Sequence, residues 1–219
     1  VNFGYNQSEG GVLHDVSFTI KAGTTFGVLG ATGSGKSTLM YLLDRLYELP
    51  RENGSITIGG VDIRDIDLSY LRKNIGIVLQ EPFLFSKSFR ESIADAIENF
   101  AQGYDTPIGE RGVTISGGQK QRVAIARMLM QDTPIKVFDD SLSAVDMETD
   151  AKIRPSIRKN VHGTTILIAH RITTLMNADQ ILVLDHGRVS QLGTHQELIH
   201  QEGIYKRIYD MQRAGGSET

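Results

Sequence analysis

Residues 30–38 read Gly-Ala-Thr-Gly-Ser-Gly-Lys-Ser-Thr and meet every fixed position of the pattern G-x-x-x-x-G-K-[ST]. Gly30, Gly33 and Gly35 permit backbone angles that expose consecutive N–H groups, and a helix starting behind them adds partial positive charge. Such a loop welcomes an anion. Lys36 supplies a point charge for outer phosphates, and the Ser37 hydroxyl is a ligand for the Mg2+ that travels with them. Thr32, Ser34 and Thr38 complete the candidate cradle. About a hundred residues later Asp139 ends an apolar run, where it is placed to hold Mg2+ directly or through water. Together these residues describe chemistry on the phosphates of a nucleotide, ATP being the expected one.

The surrounding segments must hold that loop open. Residues 25–29 form a short apolar strand pattern, and the apolar residues of 39–47 recur at helical spacing, so the context is strand, loop, helix. Residues 16–20 alternate apolar and polar as a strand with one wet face, residues 21–23 turn, and 54–60 is a second alternating strand between glycines. A helical turn at 69–73 precedes a buried strand at 75–79 that ends at Gln80. An amphipathic helix is expected over 86–101 and a loop over 104–115; Ser116, Gly117 and Gly118 then open a helix over 119–130. The strand 135–139 ends in acid, and a helix over 147–158 is interrupted by Pro155. Strands at 164–169 and 180–184 flank a helical 172–177; residues 197–199 and 205–209 are helical, with a tail fraying from Arg213. Strands alternating with helices predict an α/β fold with a mostly parallel sheet and an antiparallel β edge.

With 219 residues, 40% of them hydrophobic, the chain has enough apolar side chains for a real core. A net charge of −3 argues against a general grip on nucleic acid, and no nucleic-acid partner is expected. The absence of cysteine excludes disulfides and thiolate metal sites. No apolar run approaches the roughly 18 residues of a membrane span. The chain starts at Val1 within a strand-like run, as a piece of a longer polypeptide would. His14, His162, His186, His195 and His200 share no ligand spacing and are expected at the surface or in loops.

The run Ile115-Ser116-Gly117-Gly118-Gln119, followed by Lys120-Gln121-Arg122, resembles the signature motif of the ATP-binding cassette (ABC) ATPases. The resemblance covers the whole chain. Tyr5 is similar to the aromatic that stacks on adenine, Gln80 to the Q-loop glutamine that also reaches the metal, Asp146 to the D-loop aspartate and His170 to the switch histidine. Residues 106–112, with Glu110, resemble the X-loop of exporters. The resemblance implies a P-loop NTPase fold over residues 1–219 with a helical lobe over about 81–130 that includes the signature helix. It also implies head-to-tail pairing with a second such domain, identical or not. Ser116, Gly117, Gly118 and Gln119 then face the γ-phosphate held on the partner's loop. The membrane domains of an exporter, touched through the Glu110 loop and the helical lobe, are the other implied partners, placing the domain at the cytoplasmic face of the cell membrane.

Two departures stand out. Asp140 occupies the position where active ABC ATPases usually place the glutamate that polarises the attacking water, so hydrolysis at this chain's own loop is expected to be slow. Only 36 positions separate Gln80 from Ser116, which makes the helical lobe short for an exporter. The alternatives are an ATP-gated dimerisation clamp that does not hydrolyse, or a soluble ABC ATPase outside transport.

Overall fold

The computed structural model of the chain describes residues 1–6, 10–79, 120, 121, 123–125, 128, 131, 133–140 and 163–215. At its centre lies β1 (Thr25–Gly30), flanked by β6 (Thr164–Ala169) and β7 (Gln180–Asp185), both parallel to it. The full order is β4-β5-β6-β1-β7-β8, with β4 (Ile75–Val78), β5 (Ile135–Asp139) and the antiparallel edge strand β8 (Arg188–Gly193). The inner strands read as nearly unbroken apolar runs because layers on both faces cover a parallel sheet. Phe26, Val28, Ile168, Leu182 and Leu184 belong to one core cluster; Leu29, Ala169, Ile181 and Val183 belong to another. This is the expected α/β P-loop architecture with a mostly parallel sheet. A separate antiparallel pair, β2 (Thr57–Ile58) with β3 (Val61–Asp62), lies outside the main sheet.

Five helices are described with both ends: α1 (Lys36–Leu43), α2 (Leu68–Asn74), α3 (Ile172–Leu175), α4 (His195–His200) and α5 (Ile204–Gly215). Lys120, Gln121, 123–125 and Met128 are also helical, within the helix expected over 119–130. The Asp67 carboxylate caps α2 by accepting from the Tyr70 N–H. The elements expected over 86–101, 104–115 and 147–158 lie outside the described residues, as does the rest of the lobe expected over about 81–130.

Several expectations are corrected. Residues 16–20 alternate in burial as a strand would, yet form no ladder; Val16 instead exchanges two hydrogen bonds with Val1, at 2.7 and 3.0 Å. The strand expected over 54–60 is only two residues long, and the helix expected to fray from Arg213 continues to Gly215. β8 was not anticipated, because it carries Ser190, Gln191 and Gly193 rather than an apolar run. Its marker is the turn before it: His186 and Gly187 both have positive φ, 44° and 72°, as a two-residue hairpin turn of the I′ kind requires.

His195 is buried rather than at the surface. Its Nδ1 lies 2.8 Å from the hydroxyl of the fully buried Tyr205, whose N–H donates to the Gln191 side-chain oxygen at 3.0 Å. Burial lowers the His195 pKa, and burial also raises that of the Tyr205 phenol. This polar pair ties α4 to α5. The start of α4 has a capping box: the Thr194 hydroxyl accepts from the Glu197 N–H, and the Glu197 carboxylate accepts from the Thr194 N–H at 2.7 Å. Thr194→Ala is expected to cost about 1 kcal/mol and to lower Tm by about 2–4 °C, readable by calorimetry.

Candidate nucleotide site

The sheet brings the candidate residues to one edge. Asp139 is the last residue of β5 and is in register with Ile168 of β6, while Leu29 of β1 is in register with Ala169. Residues 30–35, the Asp139–Asp140 pair and His170 therefore leave the carboxyl ends of three adjacent strands. That edge is where open α/β sheets bind ligands.

The loop after β1 is shaped by its glycines for different reasons. Gly33 and Gly35 adopt φ of 79° and 100°, a region that other residues enter with strain. Gly30 does not; a Cβ there would press on the Ser34 hydroxyl and lie 2.7 Å from the Leu184 carbonyl oxygen, so its constraint is close packing. Ala31, Thr32 and Gly33 are exposed, Ser34 and Thr38 are buried, and no side chain caps the first turn of α1 at Gly35. The loop thus presents backbone and helix N-terminus to an anion.

Lys36 folds back over this loop and donates to the carbonyl oxygens of Gly30 at 2.7 Å and Ala31 at 2.8 Å. Burial lowers its pKa, and the charges of Asp139 and Asp140 act in the opposite direction. The Ser37 hydroxyl hydrogen-bonds the Asp139 carboxylate. Burial first, and the Asp140 charge second, raise the Asp139 pKa; Lys36 and Ser37 offset part of this. A hydroxyl and a half-desolvated carboxylate in contact form an oxygen pair that suits a hard cation such as Mg2+, which would relieve the carboxylate's unfavourable burial.

That burial sets the direction of a stability test. Asp139 has a folded pKa above its unfolded value, so its contribution favours folding at low pH and is lost as pH rises through the folded pKa. Without nucleotide at neutral pH, Asp139→Asn should therefore raise Tm. The gain should shrink as pH falls toward the ordinary carboxylate range; differential scanning fluorimetry across pH reads it.

Asp140 follows at φ 46°, a left-handed conformation uncommon outside glycine, with its N–H bonded to the Ile168 carbonyl at 2.8 Å. This bend turns the buried Asp140 carboxylate toward β6, where its Oδ2 lies 2.8 Å from the Nδ1 of half-exposed His170. The acid and the histidine thus meet, with Lys36 close enough for its charge to be felt by both carboxylates.

Tyr5 sits at the other end of the loop. Its hydroxyl shares a 2.9 Å hydrogen bond with the Thr38 hydroxyl, and its ring meets the edge of Tyr47 at 4.8 Å. Both rings are more than one-third exposed, so an aromatic ledge borders α1. Tyr47 carried no motif and was not anticipated. Gln80, Glu110, Ser116, Gly117, Gly118, Gln119 and Asp146 lie outside the described residues.

Residues 13–143 match the ABC transporter family. The chain belongs to that family. Over 238 aligned positions this ABC chain is 40% identical to the ATP-dependent lipid A-core flippase of Haemophilus influenzae, covering 98% of the chain and 40% of that protein. It is 44% identical to the ABC transporter ATP-binding protein YknU of Bacillus subtilis over 234 positions, 97% of this chain and 40% of that protein. Among solved structures it superposes on a bacterial Atm1-family ABC exporter with ATP bound, with a TM-score of 0.90 and 40% identity over 97% of this chain and 41% of that one. The ABC chain therefore spans about two-fifths of the length of these relatives. The alignment to YknU runs to 234 positions against the 219 residues of this chain, so at least 15 positions of the alignment have no residue here. Among the described residues no helix is long and apolar enough to cross a membrane.

Proposed function

We propose that residues 1–219 are the nucleotide-binding domain of an ABC exporter, which holds ATP with Mg2+ on residues 30–38 and hydrolyses it slowly at that loop. The observation that carries this reading is the meeting of Lys36, the Ser37–Asp139 contact and the Asp140–His170 contact at the ends of β1, β5 and β6. The lipid A-core flippase and the ATP-bound exporter support the assignment to export.

In this reading the backbone of 30–35 surrounds the phosphates, and Lys36 exchanges the Gly30 and Ala31 carbonyls for phosphate oxygens. Ser37 and Asp139, with Gln80, would hold Mg2+, which neutralises charge between the phosphates when bound. Tyr5 offers a face to adenine. Asp140 draws a proton from the attacking water, and His170, fixed by Asp140, senses the γ-phosphate. Ser116, Gly117, Gly118 and Gln119 close over the nucleotide of a second ABC domain, and Asp146 couples the two sites. The Glu110 loop and a helical lobe over about 81–130 contact the membrane domains at the cytoplasmic face.

Titration calorimetry tests the binding step. One ATP per chain is expected in the presence of Mg2+, with weaker binding in EDTA. Binding that is absent at millimolar ATP sinks the proposal.

A further inference from the structure

The segment carrying His170 is held from a distance by a side chain with no motif of its own. Gln212, in the last turns of α5, donates from Nε2 to the His170 carbonyl oxygen at 2.9 Å and accepts at Oε1 from the Ile172 N–H, also at 2.9 Å. One amide therefore spans the backbone on both sides of Arg171, between the end of β6 and the start of α3. The Ile172 N–H is the first of α3, and the residue before that helix, Arg171, provides no side-chain cap. Gln212 fills that role from 40 positions later in the chain.

The amide is anchored by a rigid platform. Tyr205 of α5 is fully buried, and Ile204, Ile208 and Tyr209 of the same helix pack on a cluster that contains Leu29, Ala169 and Ile172. That cluster reaches the strand before the phosphate loop and the strand before His170. The helix is thus fixed against the same core that positions the site. The Gln212 chemistry also fits the two groups it meets: an amide both donates to a carbonyl and accepts from an N–H at one planar end, which neither an ionised carboxylate nor an ammonium can do.

We infer that Gln212 is a positioning residue for hydrolysis: it fixes the backbone of 170–172 so that the His170 imidazole stays on Asp140 and faces the γ-phosphate. This rests on the reading of His170 as the phosphate sensor. Gln212 itself touches neither nucleotide nor the reacting atoms. Because it is exposed and outside the apolar core, its removal should loosen this segment and leave the fold intact.

The test compares the full chain with Gln212→Ala, Gln212→Glu, His170→Ala and the Gln212→Ala/His170→Ala double variant. Gln212→Ala is expected to accelerate amide exchange at Ile172 and to lower kcat for ATP by about tenfold, with KM changed less than about twofold. Gln212→Glu keeps the acceptor for Ile172 but sets a carboxylate against the His170 carbonyl, so exchange at Ile172 stays slow while kcat still falls. In the His170→Ala background, Gln212→Ala should add nothing, since both act through one imidazole. If Gln212→Ala leaves kcat unchanged while His170→Ala lowers it, or if it slows the His170→Ala chain by the same factor as wild type, the positioning role is wrong. If His170→Ala leaves kcat unchanged, the sensor reading falls and the positioning role falls with it.

Discussion

Lys36→Ala is expected to weaken ATP binding by about 100-fold and to remove measurable hydrolysis at this loop. The expectation follows from the contacts Lys36 already makes. Its ammonium bridges two loop carbonyls at 2.7 and 2.8 Å, and phosphate oxygens are stronger acceptors for it than carbonyls. Hydrogen bonds to charged groups contribute about 1.5–3 kcal/mol each, so losing one or two of them removes about one to four orders of magnitude in affinity. Lys36→Met, which keeps the apolar stem, should lose as much, separating charge from packing. Calorimetric titration with ATP reads the affinity, and an unchanged thermal midpoint in the apo variants shows that the fold survives. Retention of wild-type affinity in both variants would rule out residues 30–38 as the phosphate site.

Asp140→Glu should act in the opposite direction and raise steady-state hydrolysis by about tenfold or more. A general base contributes about 10²- to 10⁴-fold when it reaches the proton it takes, and reach is what the shorter side chain lacks. The structure adds a second reason. The left-handed backbone at Asp140 turns its carboxylate onto His170 at 2.8 Å, so the acid is committed to the histidine. One more methylene lets a carboxylate extend past that contact toward the phosphate loop. Glutamate fits a left-handed φ less readily than aspartate, so a small loss of thermal stability should accompany the gain in rate. Phosphate release at saturating ATP measures it, and the gain should vanish when Lys36 is also replaced.

The strands that carry this site were legible because they are buried on both faces. Residues 166–169 and 181–184 are unbroken apolar runs and 135–138 is apolar but for Lys136, and the structure places β5, β6 and β7 over 135–139, 164–169 and 180–185. Residues 30–38 stand out as a candidate phosphate loop for a different reason: phosphate binding fixes residue types at fixed spacing. Features with a mixed polar pattern, or with partners further along the chain, carry no such local signal. β8 is an edge strand whose polar face hides its period, and residues 16–20 have strand-like alternation without a neighbour to pair with. His195 looked like a surface residue because nothing nearby in sequence reveals that Tyr205 buries it. The bend at Asp140 is equally invisible: two adjacent aspartates do not say that one faces Ser37 and the other His170. Gln212 belongs with these, since an exposed glutamine near a helix end carries no local sign of the segment 40 residues earlier that it holds.

If residues 30–38 hold ATP and Asp140 is too short to drive its hydrolysis, as proposed, binding separates from turnover. Single-turnover release of phosphate from γ-labelled ATP, preloaded with Mg2+ on this chain and on Asp140→Glu, measures that separation at the loop itself. The expected result is stoichiometric ATP on both chains, with phosphate leaving the wild-type chain at least about tenfold more slowly. Equal release rates from the two chains, both carrying stoichiometric ATP, would contradict it.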